Sequence, residues 1–81
     1  MKTFHLTVAK VGENLFDGEA ISAMMPGKEG VFQILAGHEP FVSELVQGEM
    51  HIKAADDKTY HFDILASGIA EVSRNQATIL L

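Results

Sequence analysis

Glu49-Met50-His51-Ile52-Lys53-Ala54-Ala55-Asp56-Asp57-Lys58-Thr59-Tyr60-His61-Phe62-Asp63-Ile64 decides the fold class, because it alternates on both sides of a turn. Met50 and Ile52 stand against His51 and Lys53, and Tyr60, Phe62 and Ile64 stand against Thr59, His61 and Asp63. Successive strand side chains point to opposite faces, so each flank reads as a strand with one apolar face. Asp56-Asp57-Lys58 reads as the hairpin turn between them.

The same period runs outward in both directions. Phe4, Leu6 and Val8 alternate with His5, Thr7 and Ala9 after Met1-Lys2-Thr3, and Val11-Gly12-Glu13-Asn14 is a turn cluster. Asp17-Gly18 reads as a tight hairpin pair, and Pro26-Gly27 as the centre of a type II turn. Glu19, Ile21, Ala23 and Met25 read as one strand face, and Ala20, Ser22 and Met24 as the other. Val31–Leu35 is a short apolar strand, followed by the irregular Ala36-Gly37-His38-Glu39-Pro40. Apolar residues at 41, 42, 45 and 46 fit a helical turn better than a strand, although Gly48 leaves the segment too short for a stable helix. Ser67-Gly68 reads as a break, and Ser73-Arg74-Asn75-Gln76 as a turn before the last strand, Ala77–Leu81. The expectation is one domain, residues 1–81. It is all-β, an antiparallel β-sandwich of about eight to ten short strands in two sheets.

Composition narrows the function. The 81 residues carry eleven acidic and six basic side chains, and Lys2, Lys10, Lys28, Lys53, Lys58 and Arg74 are scattered. A net charge of −5 without a basic cluster is a poor match for phosphate backbones, so no nucleic-acid partner is expected. No apolar run approaches the roughly 20 residues of a spanning helix, and the amino terminus lacks a signal-peptide pattern. These features lead us to expect a soluble intracellular chain with no direct membrane insertion. Cysteine is absent, which removes disulfides and thiolate zinc sites.

Chemistry has few candidates. His38-Glu39 has Val42 where a zinc-protease helix would need its second histidine. Ala66-Ser67-Gly68 is not a nucleophile elbow, and no phosphate loop or dinucleotide fingerprint occurs. His5, His51 and His61 lie on polar strand faces, where two strands could gather them as ligands. The plainer reading is surface histidines, so no metal is expected. His38, in a Gly-His-x-Pro loop, is either a contact residue or a loop organiser. In Met24-Met25 one side chain packs in the core and the other must face outward, which makes it, like Val31-Phe32, a candidate interface.

The chain resembles the amino-terminal β-sandwich domain of epsilon subunits of F-type ATP synthases. Phe4–Val8 is similar to the family's opening strand, and Leu15-Phe16-Asp17-Gly18-Glu19 to its "F-x-G" hairpin. Pro26–Pro40 resembles the specific central signature P-G-x-x-G-x-x-x-[IV]-x-P-G-H-x-P. Gly68, Glu71-Val72 and Ala77–Leu80 resemble the closing segment. Ala36 replaces the usual proline, Ala66-Ser67-Gly68 a Ser-Gly-Gly, and Val31 a frequent glutamate. Family members typically continue into a carboxy-terminal helical hairpin, so the chain resembles either a natural short form or a domain cut at that boundary.

The resemblance implies a non-catalytic rotor subunit, not an enzyme. It would link the central gamma stalk to the polar loops of the membrane c-ring and couple ion flow to ATP synthesis. It implies a c-ring interface at Lys28, Glu29, Gly30, Val31 and Phe32, and a gamma interface at Lys10, His38, Glu39 and Ser43. Without the hairpin it implies no nucleotide site and no inhibitory extension. Neither cofactor nor metal is expected. The implied place is the cytoplasmic side of a bacterial inner membrane, peripheral, within the synthase. The alternatives are a free-standing β-sandwich module for carbohydrate or peptide, and a small jelly-roll enzyme with a histidine metal site.

Overall fold

Leu6 and Val8 are fully buried and Phe4 nearly so, as the alternation of the first strand requires. In the computed structural model, which describes residues 2–81, this strand is β1 (Phe4–Lys10). It is followed by β2 (Glu13–Gly27), β3 (Gly30–Leu35), β4 (Phe41–Ala54), β5 (Thr59–Ser73) and β6 (Gln76–Leu80). The described residues contain no helix.

The expected eight to ten short strands are six, and the two sheets are one continuous sheet. Its order is β1-β6-β5-β4-β2-β3, with β1 also paired to β2, so the sheet closes on itself like a barrel. The miscount has one physical cause. β2, β4 and β5 are 15, 14 and 15 residues long; β2 changes partner along its length, and β4 and β5 stay paired throughout while each gains a second neighbour over part of its length. β2 pairs with β1 through Glu13–Ala20 and with β3 through Ser22–Gly27. Bulges make these bends, because an extra residue in one strand sharpens the local twist. One lies where Leu65 and Ala66 of β5 face the single Gln47 of β4. Asp17-Gly18, Gly48 and Ser67-Gly68 are therefore strand interior and not breaks.

Four further expectations change. The sheet is not wholly antiparallel, because β1 and β6 pair in parallel from His5↔Gln76 to Ala9↔Leu80. The turn lies at Lys28-Glu29, because Pro26 and Gly27 still pair with Val31 and Gly30, and the positive φ falls on Gly30. Phe41–Val46 is strand, paired with Ser67–Val72. Its helical look arose because Val42 and Val46 are apolar on the outward face while Phe41 and Leu45 point inward. A register shift at Ile21 also puts Ala20 on the core face together with Ala23 and Met25, leaving Met24 outside.

The Asp56-Asp57-Lys58 turn forms as expected. Ala54 and Lys58 close it, the Lys58 amide donates to Asp56 Oδ1, and Asp57 takes a positive φ. All six strands contribute to one core, including Leu6, Met25, Ile34, Met50, Ile52, Ile64 and Ile79. Each such side chain stabilises the fold by about 1.5–3 kcal/mol relative to exposure. No buried side-chain nitrogen or oxygen lacks a partner among the described residues. No described helix is long and apolar enough to cross a membrane.

Candidate functional site

The β2–β3 hairpin presents Lys28 and Glu29 at its tip. The Lys28 amide donates to the Glu44 carbonyl at 2.9 Å, and Lys28 Nζ lies 3.4 Å from Glu44 Oε2. Both side chains are about two-thirds exposed, so this pair positions the tip and adds at most about 1 kcal/mol. Glu29 makes no ion pair among the described residues. Val31 points outward at 70% exposure, and Phe32 turns back onto the body.

Phe32 ties the tip down. Its ring meets Phe41 edge-to-face at 5.4 Å, and Phe41 meets His38 at 5.0 Å. A Cβ at Gly27 would stand 2.8 Å from the Phe32 ring, so only glycine lets the ring lie there. His38 is a loop organiser as well as an exposed group, because its Nδ1 donates to the Glu39 carbonyl. Ser43 Oγ donates to the Glu44 carbonyl. Lys28, Glu29, Val42, Ser43 and Glu44 line one shallow groove. The structure thus brings the hairpin tip together with Ser43, and with His38 through the aromatic chain.

Lys10 is elsewhere. It ends β1 beside Glu13, at 3.5 Å, about 17 Å along the strand from His5. His5 and Gly37 both bond Asn75, so the loop that leads to His38 belongs to the other end of β1. What lies between is a feature the sequence reading missed. Val42, Val46, Ile69 and Leu80 form an exposed apolar strip across β4, β5 and β6. Ile69 faces Glu44, diagonally between Val42 and Val46, and pairs with Leu80. Leu80 in turn pairs with Ala9, next to Lys10. Lys10 thus stands one residue along the chain from the strip's β1 neighbour Ala9, and Ser43 one residue from Val42, on the inward side with Phe41 and Leu45. The strip's sequence signal was the pair of valines at 42 and 46 on what should have been a polar face.

The histidines form two different arrangements. His5 Nε2 lies 2.6 Å from Asp17 and its Nδ1 3.1 Å from Glu19, while Thr3 and Thr7 donate to the same carboxylates. Hydrogen bonds to Glu19 first, then to Asp17, raise the His5 pKa above its ordinary 6.5. The native state therefore prefers the imidazolium. Its stabilising contribution is complete below 6.5 and is lost as pH rises through the raised value. The urea midpoint of the wild type should exceed that of His5→Gln at acidic pH, and the gap should close as pH rises. A gap constant from roughly pH 5 to 9 would contradict this. The second arrangement is Glu49, His51 and His61 on the outer face of β4 and β5, with the two rings 4.4 Å apart.

The described residues thus form a closed, barrel-like sheet with a charged hairpin tip and an apolar outer strip. A family model described as "ATP synthase, Delta/Epsilon chain, beta-sandwich domain" matches residues 3–81, and the chain belongs to this family. It is 35% identical over 79 residues to an ATP synthase epsilon chain of Chlorobium limicola, covering 98% of this chain and 89% of that one. It is 39% identical over 80 residues to an ATP synthase epsilon chain of Bradyrhizobium, covering 99% of this chain but 58% of that one. A chain in the cryo-EM structure of Euglena gracilis mitochondrial ATP synthase (OSCP/F1/c-ring) superposes with a TM-score of 0.88. That likeness, at 24% identity over 96% of this chain and 49% of the other, concerns the fold.

Proposed function

We propose that this chain is a non-catalytic rotor subunit of an F-type ATP synthase, joining the gamma stalk to the c-ring and coupling ion flow to ATP synthesis. The carrying observation is the exposed apolar strip Val42–Val46–Ile69–Leu80 across β4, β5 and β6. Such a strip on a closed barrel calls for a partner surface. The gamma stalk would cover it, with Lys10, His38, Glu39 and Ser43 at its margins. The polar c-ring loops would meet Lys28, Glu29, Gly30, Val31 and Phe32. Both surfaces meet at β4, so load passes between them through a short, close-packed path. Within this reading the subunit is peripheral, on the cytoplasmic side of a bacterial membrane, and needs no cofactor.

Mixing the purified chain with a gamma subunit should give a stoichiometric complex on size-exclusion chromatography. Separate elution of the two would overturn the proposal. Glu29 offers a test of the c-ring end, since Lys28 is already held by Glu44. Glu29→Lys should lower proton-driven ATP synthesis in reconstituted vesicles by roughly twofold to fivefold, the scale of one exposed charge contact. Unchanged synthesis would count against a charged contact at the tip.

A further inference from the structure

We propose that Glu49, His51 and His61 form a binding site for a divalent late transition-metal ion of the zinc class. His51 and His61 face each other directly across the β4–β5 ladder, and Glu49 lies two residues before His51 on the same face. Glu49 Oε1 is 2.8 Å from His51 Nε2, and Glu49 Oε2 is 3.9 Å from His61 Nδ1. One ligand atom from each residue falls within 4.8 Å of the other two. Around a tetrahedral ion with ligands at about 2.0–2.1 Å, donor atoms stand roughly 3.4 Å apart. Rotation of half-exposed side chains closes that difference, because the hairpin register has already fixed the backbone.

The other histidine group shows why this one is distinct. His5 turns a different nitrogen to each of Asp17 and Glu19, so those donors diverge from one another. They serve an imidazolium. At Glu49 two separate imidazoles each bring a nitrogen to one carboxylate, so one donor atom from each of three residues lies within 4.8 Å of the other two.

Two further features favour a cation there. Asp63 faces Glu49 across the ladder, so two carboxylates share the site, and like charges directly opposite are unfavourable without a counter-ion. Met24 of β2 faces His51 from its other side and is exposed, adding a thioether to the surroundings. Two imidazoles and one carboxylate suit zinc, nickel or copper and disfavour magnesium. Three protein donors leave the fourth position to water. The ion would clip β4 to β5 and stabilise the native state by mass action.

Calorimetric titration of the metal-free chain with zinc chloride should give one site. His51→Asn and His61→Asn should each weaken it at least tenfold, with His5→Asn and magnesium chloride as controls. Zinc should also raise the melting temperature of the wild type but not of the double variant. In the unmutated chain, the ring nitrogens of His51 and His61 should shift on zinc addition while those of His5 and His38 stay put. Absence of zinc binding, equal binding by the double variant, equal binding of magnesium, or loss of binding in His5→Asn would each overturn the assignment.

Discussion

Ile69→Asp should weaken association with the gamma subunit at least a hundredfold while leaving the barrel folded. Ile69 sits at the middle of the apolar strip, diagonal to Val42 and Val46 and opposite Leu80. It is 45% exposed and on the outer face, so an aspartate there remains hydrated in the free chain. In the proposed complex the same carboxylate would be covered by an apolar partner surface. Burying an unpaired charge costs several kcal/mol, and central apolar contacts carry a disproportionate share of binding energy. A hundredfold change corresponds to about 2.7 kcal/mol, the lower end of that range. The neighbouring Glu44 and Glu71 add repulsion. The comparison variant is Leu65→Asp, which is more exposed, at 81%, but stands at the bulge and off the strip. Surface plasmon resonance on immobilised gamma subunit should show Ile69→Asp failing and Leu65→Asp binding nearly as the wild type does. Equal binding by both variants would remove the strip from the interface.

The elements were legible in the sequence wherever one face is apolar and the other polar. The 49–64 hairpin and the first strand form as their alternation predicts, because period two needs only local residues to be read. The long strands were not legible, because their interruptions are bulges and glycines. Asp17-Gly18 and Ser67-Gly68 have turn composition but pair within ladders, Gly18 with Leu6 and Gly68 with Leu45. Nothing local distinguishes a glycine that ends a strand from one that lets another strand approach. The parallel β1–β6 pair joins residues about seventy positions apart and has no local signal. Phe41–Val46 misled because Val42 and Val46 make its outward face apolar as well. The resemblance placed Lys28, Glu29 and Ser43, which the structure gathers in one groove, but gave no sign of Glu44, which holds Lys28.

Gly68 turns that ambiguity into a measurement. A Cβ built there would stand 2.7 Å from the Leu80 carbonyl oxygen and 2.9 Å from the Leu81 side chain. The carbonyl is backbone of β6, held by pairing to both β5 and β1, so it cannot move alone. Gly68→Ala must therefore push β6 away from β5 or distort the bulge that precedes it. Overpacking of this kind costs about 1–3 kcal/mol, and the rigidity of a backbone neighbour puts this case at the upper end. For a domain of this size, about 2–3 kcal/mol lowers the melting temperature by roughly 10–20 °C. Gly18→Ala is the matched control, for its Cβ would meet only the Phe16 ring, at an ordinary 3.8 Å. That change should be neutral or stabilise by about 0.4–1 kcal/mol, because alanine has less freedom to lose on folding. If Ser67-Gly68 were a surface turn, the two substitutions would behave alike. Melting curves in which Gly68→Ala falls by less than a few degrees, or no further than Gly18→Ala, would reject the close approach of β6 and with it the continuous β5 that closes the barrel.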